Sequence, residues 1–184
     1  MNEGLIPRRY AKALYKVALE QNATKEIYGL ATNLVASFRG NPGLSEVVNN
    51  PFQAVDDKIR LLTIAAGADK ADQLYADFLQ LLVDNRRIGM VEAIALAYMK
   101  HYRQENNIRV VHLTVAARHT PQEESRLKEL IERHIKGATM EYAYDVDPSL
   151  IGGFRVTVDN ERLDASISNE LKQLRLNLLS KQAI

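Results

Sequence analysis

The sequence predicts a two-domain protein: an all-α six-helix bundle over residues 1–105, then a small α+β domain over 106–184. Three observations carry this. Before position 105 the apolar residues recur at helical spacing, with no period-two alternation anywhere. At "QENN" (104–107) the pattern changes to β-branched and alternating segments. The chain has 184 residues, 46% of them hydrophobic, enough for two cores in domains of roughly 80–100 residues each.

Each predicted helix has its own stripe. Tyr10, Leu14, Val17 and Ala18 share a face of the first helix, with Pro7 near its start, where a missing N–H costs nothing. Ile27, Leu30, Ala31, Leu34 and Phe38 repeat the spacing, and "RGNPG" (39–43) breaks it. A short apolar piece over 44–48 ends at "NNP". A fourth helix over 55–66 stops near Gly67, and a fifth carries Leu74, Phe78, Leu81 and Leu82. After "VDNRRIG", Val91, Ile94, Tyr98 and Tyr102 mark a sixth. The short connections predict antiparallel neighbours in a bundle.

The second half reads as β-α-β-β-α. "IRVVHLTVA" is strand-like. Thr120, Pro121 and Glu123 form a helix start with a capping box, Leu127, Leu130, Ile131, His134 and Ile135 give the stripe, and Gly137 the stop. Met140, Tyr142, Tyr144 and Val146 alternate with polar or small residues, as do Phe154, Val156 and Val158. Asp159-Asn160 reads as a turn. A final helix is expected after Leu163, with Ile167, Leu171, Leu174 and Leu178 on one face.

Few chemistries are available to this chain. The formal net charge is +1, which provides no electrostatic footprint for nucleic acid and no polybasic membrane patch. Cysteine is absent, which excludes a disulfide framework, a thiolate metal site and a cysteine nucleophile. The first residues lack a signal-peptide pattern, and no stretch approaches the roughly 20 apolar residues that span a bilayer. The expectation is a soluble protein, or one that reaches a membrane through a partner. The glycine pair in "DPSLIGGFRVTVDN" (147–160) lacks the lysine and the following helix of a phosphate loop, and reads as a strand entry approached closely by other backbone. His101, His112, His119 and His134 include no i,i+4 pair for a metal. Asp145 and Asp147 would act as acid and base only inside a cleft. Arg86-Arg87 reads as a solvated turn compensating a helix C-terminus. These readings point to an interaction protein without catalytic, cofactor or metal residues.

Three stretches together resemble one family. "RRYAKALYKVALEQ" (8–21) is similar to its first helix. "FLQLLVDNRRIGMVEAI" (78–94) is similar to its helix–turn–helix with Asn-x-Arg at the turn. "DPSLIGGFRVTVDNERLDASISNELKQLR" (147–175) is similar to its most specific segment, in which Gly152, Gly153, Asp164 and Ser166 stand at signature positions. The family is the delta subunit of the F-type ATP synthase, called the oligomycin-sensitivity-conferring protein in mitochondria. The resemblance runs through essentially the whole chain. Two positions depart from it: Ala165 stands where the family usually has Gly, and the turn reads Asn85-Arg86-Arg87 where Asn-Gly-Arg or Asn-Lys-Arg is frequent.

The resemblance implies a non-catalytic stator subunit without cofactors, one copy per complex, on the cytoplasmic face of the bacterial inner membrane. Its partners would be the alpha subunits of the catalytic head and the b subunits of the peripheral stalk, with membrane contact only through them and no nucleic acid. An alpha N-terminal helix would lie in a groove between the first and fifth helices, lined by Tyr10, Ala11, Leu14, Tyr75, Phe78, Leu79 and Leu82. Bundle core is the alternative role for each of these residues. On the fifth helix, Leu74, Phe78, Leu81 and Leu82 would point inward while Tyr75 and Leu79 point elsewhere. On the last helix the main stripe would be core, leaving Leu176 and Leu179 for the stalk. The rival readings are a nucleic-acid-associated two-domain adaptor and an enzyme with a cleft around Asp145 and Asp147.

Overall fold

The computed structural model describes residues 4–68, 72–117, 121–134, 137–159 and 161–182. The chain divides into two compact units, Met1–Asn106 and Asn107–Ile184. Among the described residues, the first unit consists of helices α1 (Leu5–Glu20), α2 (Thr24–Gly40), α3 (Pro42–Asn49), α4 (Val55–Ala66), α5 (Gln73–Asp84) and α6 (Val91–Glu105). Short 3₁₀ turns lie at Ile88–Met90, before α6, and in the second unit at Pro148–Leu150.

The helix ends follow from their residues. Pro42 opens α3, where it forfeits no hydrogen bond. Gly67 closes α4 in the left-handed region at φ 67°, and its N–H donates to the Ile64 carbonyl. The last carbonyls of α4 are satisfied from α2: the Ser37 hydroxyl donates to Ala65 O at 2.7 Å and Asn33 Nδ2 to Ala66 O at 3.2 Å. Arg86, at the turn after α5, sits at φ 56°, a conformation glycine takes without strain.

Helix α6 supplies much of the first core. Its Val91, Ile94, Tyr98 and Tyr102 are buried, as are Ile27, Leu30, Ala31, Leu34 and Phe38 of α2. The Tyr98 hydroxyl donates to Thr24 O at 3.1 Å, and burial pushes its pKa well above the ordinary tyrosine value. Tyr28 stacks on Tyr102 with ring centroids 4.4 Å apart, and Arg103 Nε donates to the Tyr28 hydroxyl. Two expected stripes are rotated. On α1 the inward set is Pro7, Ala11, Leu14 and Ala18, while Val17 is exposed. On α5 it is Tyr75, Phe78, Leu79 and Leu82, and Leu81 is exposed. Tyr75 and Leu79 therefore face the core, opposite to the sequence expectation.

The second unit holds β1 (Ile108–Val115), α7 (Pro121–His134), β2 (Thr139–Val146), β3 (Gly153–Val158), β4 (Glu161–Ser166) and α8 (Ile167–Gln182). Its order is β-α-β-β-β-α, which corrects the expected β-α-β-β-α: residues 161–166 form a fourth strand. "ERLDAS" has no apolar alternation, and its one large apolar residue, Leu163, is exposed. It is a strand because it pairs with β3, Arg155 opposite Asp164.

The sheet runs β2-β1-β3-β4. β1 and β2 are parallel, with Ile108 opposite Thr139, so the chain needs a crossover between them, and α7 is that crossover. β3 lies antiparallel to both β1 and β4. Val111, Leu113, Val115 and Val156 share one sheet face and form the core with Ile131 of α7, flanked by Leu127, Met140, Tyr142, Phe154 and Val158. Thr120 of the expected capping box, His119, Ile135 and Asn160 lie outside the described residues.

Candidate partner-binding surfaces

The glycine pair, the Asp-x-Ser element and the start of α8 form one corner. Asp147 Oδ1 accepts from Ser149 N at 3.0 Å, closing the 3₁₀ turn Pro148–Leu150, and Leu150 is buried beneath it. Ile151 follows at φ 65°, outside the ordinary range of a β-branched residue. Gly153 has φ 73°, and a Cβ on it would run into the Ala165 carbonyl of β4. A Cβ on Gly152 would lie 2.6 Å from Ile167 Cδ1. Gly152 O accepts from Ile167 N at 3.1 Å. The pair thus lets β3 start in close contact with the end of β4 and the first turn of α8.

Asp164 organises the other side of this corner. Its Oδ1 accepts from the Ser166 hydroxyl at 2.6 Å and from Ser166 N, and its Oδ2 accepts from Arg155 Nε at 2.9 Å and Arg162 Nη2 at 3.0 Å. The Ser166 hydroxyl bond is the largest of the causes that hold the Asp164 carboxyl well below the usual carboxylate range; burial, next in size, opposes it, and the Arg155 and Arg162 guanidinium groups add to the lowering. Ser166 Oγ accepts from Asn169 N at 3.2 Å, which caps α8, and Asn169 Nδ2 donates to Asp164 O. Spacing alone did not reveal that the two signature elements meet. The signal for it was the Ser and Asn at cap and third position before a leucine-rich run.

Beyond this corner α8 is uncovered. Ile167, Leu171, Leu174, Leu176, Leu178 and Leu179 are all exposed, between 44% and 65%. The expectation that Ile167, Leu171, Leu174 and Leu178 would be core is overturned. The stripe is as exposed as Leu176 and Leu179, because among the described residues no other element of the unit covers it. So many adjacent large apolar side chains left in water mark an interaction surface.

In the first unit the seven predicted groove residues are placed differently. Ala11, Leu14, Tyr75, Phe78, Leu79 and Leu82 are buried, and Tyr10 is half-buried. Leu14, Tyr75 and Phe78 meet at one small apolar cavity, lined also by Ile27, Leu34 and Tyr98. The Tyr75 hydroxyl donates to Leu62 O at 3.4 Å, and burial raises its pKa. The Arg87 guanidinium lies 5.6 Å from the Tyr10 ring centroid, which ties α1 to the turn after α5. Sequence reasoning missed several apolar side chains left outside, among them Leu5, Val17, Phe52, Ile64 and Leu81.

The two carboxylates weighed as an acid–base pair are each engaged locally. Asp145 Oδ1 accepts from its neighbour Val146 N at the end of β2, and the pKa of Asp147 is lowered by its bonds to Ser149 in the turn that follows. Among the described residues no three His, Asp or Glu side chains gather to hold a metal, and no helix is long and apolar enough to cross a membrane.

The family model for the ATP synthase delta (OSCP) subunit matches residues 6–178. The chain is 36% identical over 182 residues to ATP synthase subunit delta of Bacteroides thetaiotaomicron, covering 98% of this chain and 97% of that one. It is 34% identical to the same subunit of Parabacteroides distasonis, covering 99% and 100%. Its fold is similar to that of a chain in the cryo-EM structure of the Toxoplasma gondii mitochondrial ATP synthase hexamer, with a TM-score of 0.71 at 24% identity over 94% of this chain and 97% of that one. The match along nearly the full length places the chain in the ATP synthase delta (OSCP) subunit family, a non-catalytic subunit of the F-type ATP synthase.

Proposed function

We propose that the protein is a stator link, holding the catalytic head to the peripheral stalk against the torque of the rotor. Its six-helix bundle takes N-terminal helical segments of the alpha subunits, and its α+β unit takes the distal end of the b subunits. One copy serves each complex, on the cytoplasmic face of the bacterial inner membrane, which it reaches through these partners. The observation that carries the reading is α8, whose exposed leucines need a helix to cover them. On the bundle, a helix along α1 and α5 would rest over Leu14, Tyr75 and Phe78, and the accessible Tyr10 and Leu81 would form its rim.

Capture from detergent-solubilised membranes with tagged full-length protein tests this. The expected result is co-recovery of alpha and b subunits. Leu171→Asp with Leu174→Asp should lose b and keep alpha, and Leu176→Asp with Leu179→Asp should report whether the second face of α8 also contributes. Retention of b by all four substitutions together would overturn the stalk assignment.

A further inference from the structure

Ile151 combines two unfavourable features. Its backbone lies at φ 65° and ψ −37°, and its side chain is 66% exposed. Among the described residues, the other non-glycine positions with positive φ are Asn22, Arg86, Asn107 and Asp159, all of them polar. Asn and Asp enter this region readily because their short side chains bond locally. A β-branched residue there is an outlier. Left in water, its apolar side chain also forgoes the gain of burial. Backbone strain of this kind persists only where the surroundings impose it, and it gathers at functional sites.

The surroundings impose it here. Ile151 N donates to Pro148 O at 3.1 Å, which closes the 3₁₀ turn. Leu150 on one side is buried, and Gly152 on the other lies against Ile167 and accepts from Ile167 N. With one neighbour anchored inward and the other bound to α8, residue 151 turns outward at the root of that helix. The turn by itself does not call for isoleucine. Gly or Asn would make it with less strain and no apolar surface in water. What isoleucine adds is a large apolar side chain where the exposed row Ile167, Leu171 and Leu174 begins.

From this combination we infer that Ile151 is a contact residue for the stalk, presented by the strained turn to the b-subunit helix that covers α8. The inference rests on the stalk reading of α8 and adds a position outside that helix. A contact on a second element, continuous with the leucine row, fixes where along α8 the partner helix sits.

Full-length tagged variants test this. Each is read for stability in urea and for capture of b and alpha from detergent-solubilised membranes lacking the endogenous subunit. Ile151→Gly should keep or raise the urea midpoint, because the strain leaves with the side chain. It should weaken capture of b several-fold and leave capture of alpha as before. Ile151→Asn should do the same, and Ile151→Val, still apolar and β-branched, should capture b close to wild type. A clear fall in the urea midpoint of Ile151→Gly would make Ile151 a residue of the fold, and overturns the inference. So does undiminished capture of b by Ile151→Gly and Ile151→Asn; the stalk reading then stands without Ile151. A wild type that captures no b sinks both.

Discussion

Gly153 shows how one atom can decide a corner. Its backbone is left-handed, and the Ala165 carbonyl occupies the space a Cβ would need. Gly153→Ala should therefore cost about 3 kcal/mol or more, read as a lower urea midpoint by far-ultraviolet circular dichroism. Asp164 provides a pH signature. Its folded pKa lies below the ordinary carboxylate value of about 3.9, so its contribution is fully present above roughly pH 4 and is lost as pH falls toward the depressed folded value. Asp164→Asn should lower the thermal midpoint at neutral pH, and the gap to wild type should narrow below roughly pH 4. A gap that stays constant with pH would contradict this account. At this scale the sequence was informative about which residues matter: the glycine pair and Asp-x-Ser are visible as motifs. It did not reveal that they touch, because β3 and β4 meet only after the chain reverses between Val158 and Glu161.

At the scale of elements, α5 and α8 make opposite points. On α5 two sets of positions satisfy helical spacing: Leu74, Phe78, Leu81 and Leu82, or Tyr75, Phe78, Leu79 and Leu82. Periodicity cannot choose between them, since a rotation of part of a turn exchanges one for the other. The fold takes the second set, with Tyr75 reaching Leu62 O. On α8 the periodicity was read correctly and its meaning was not, because an apolar stripe looks the same whether a neighbour within the chain covers it or nothing does. A paired truncation separates these cases. Leu79→Ala, at a fully buried position, should cost about 3 kcal/mol, whereas Leu171→Ala should change the stability of the isolated protein by less than about 0.5 kcal/mol. Equal losses in thermal or urea unfolding would place Leu171 in a core. β4 was missed for a third reason: an edge strand with one exposed leucine carries almost no period-two signal, and its pairing alone defines it.

For the whole molecule, two separate cores predict two separable units. A fragment of residues 1–106 should fold alone and unfold cooperatively in urea, since its buried residues are drawn from its own helices. A fragment with a non-cooperative transition would show that the bundle depends on the rest of the chain. By itself, the sequence determined the helical first half, the change of grammar near 105 and the family, because composition and local spacing are properties of neighbouring residues. Only the tertiary structure decided which faces are inside: Tyr75 and Leu79 turned into the core of the helical unit, a fourth strand recruited by pairing, and the α8 leucines left uncovered. Burial depends on what other elements arrive at a face, and that depends on contacts between residues far apart in the chain.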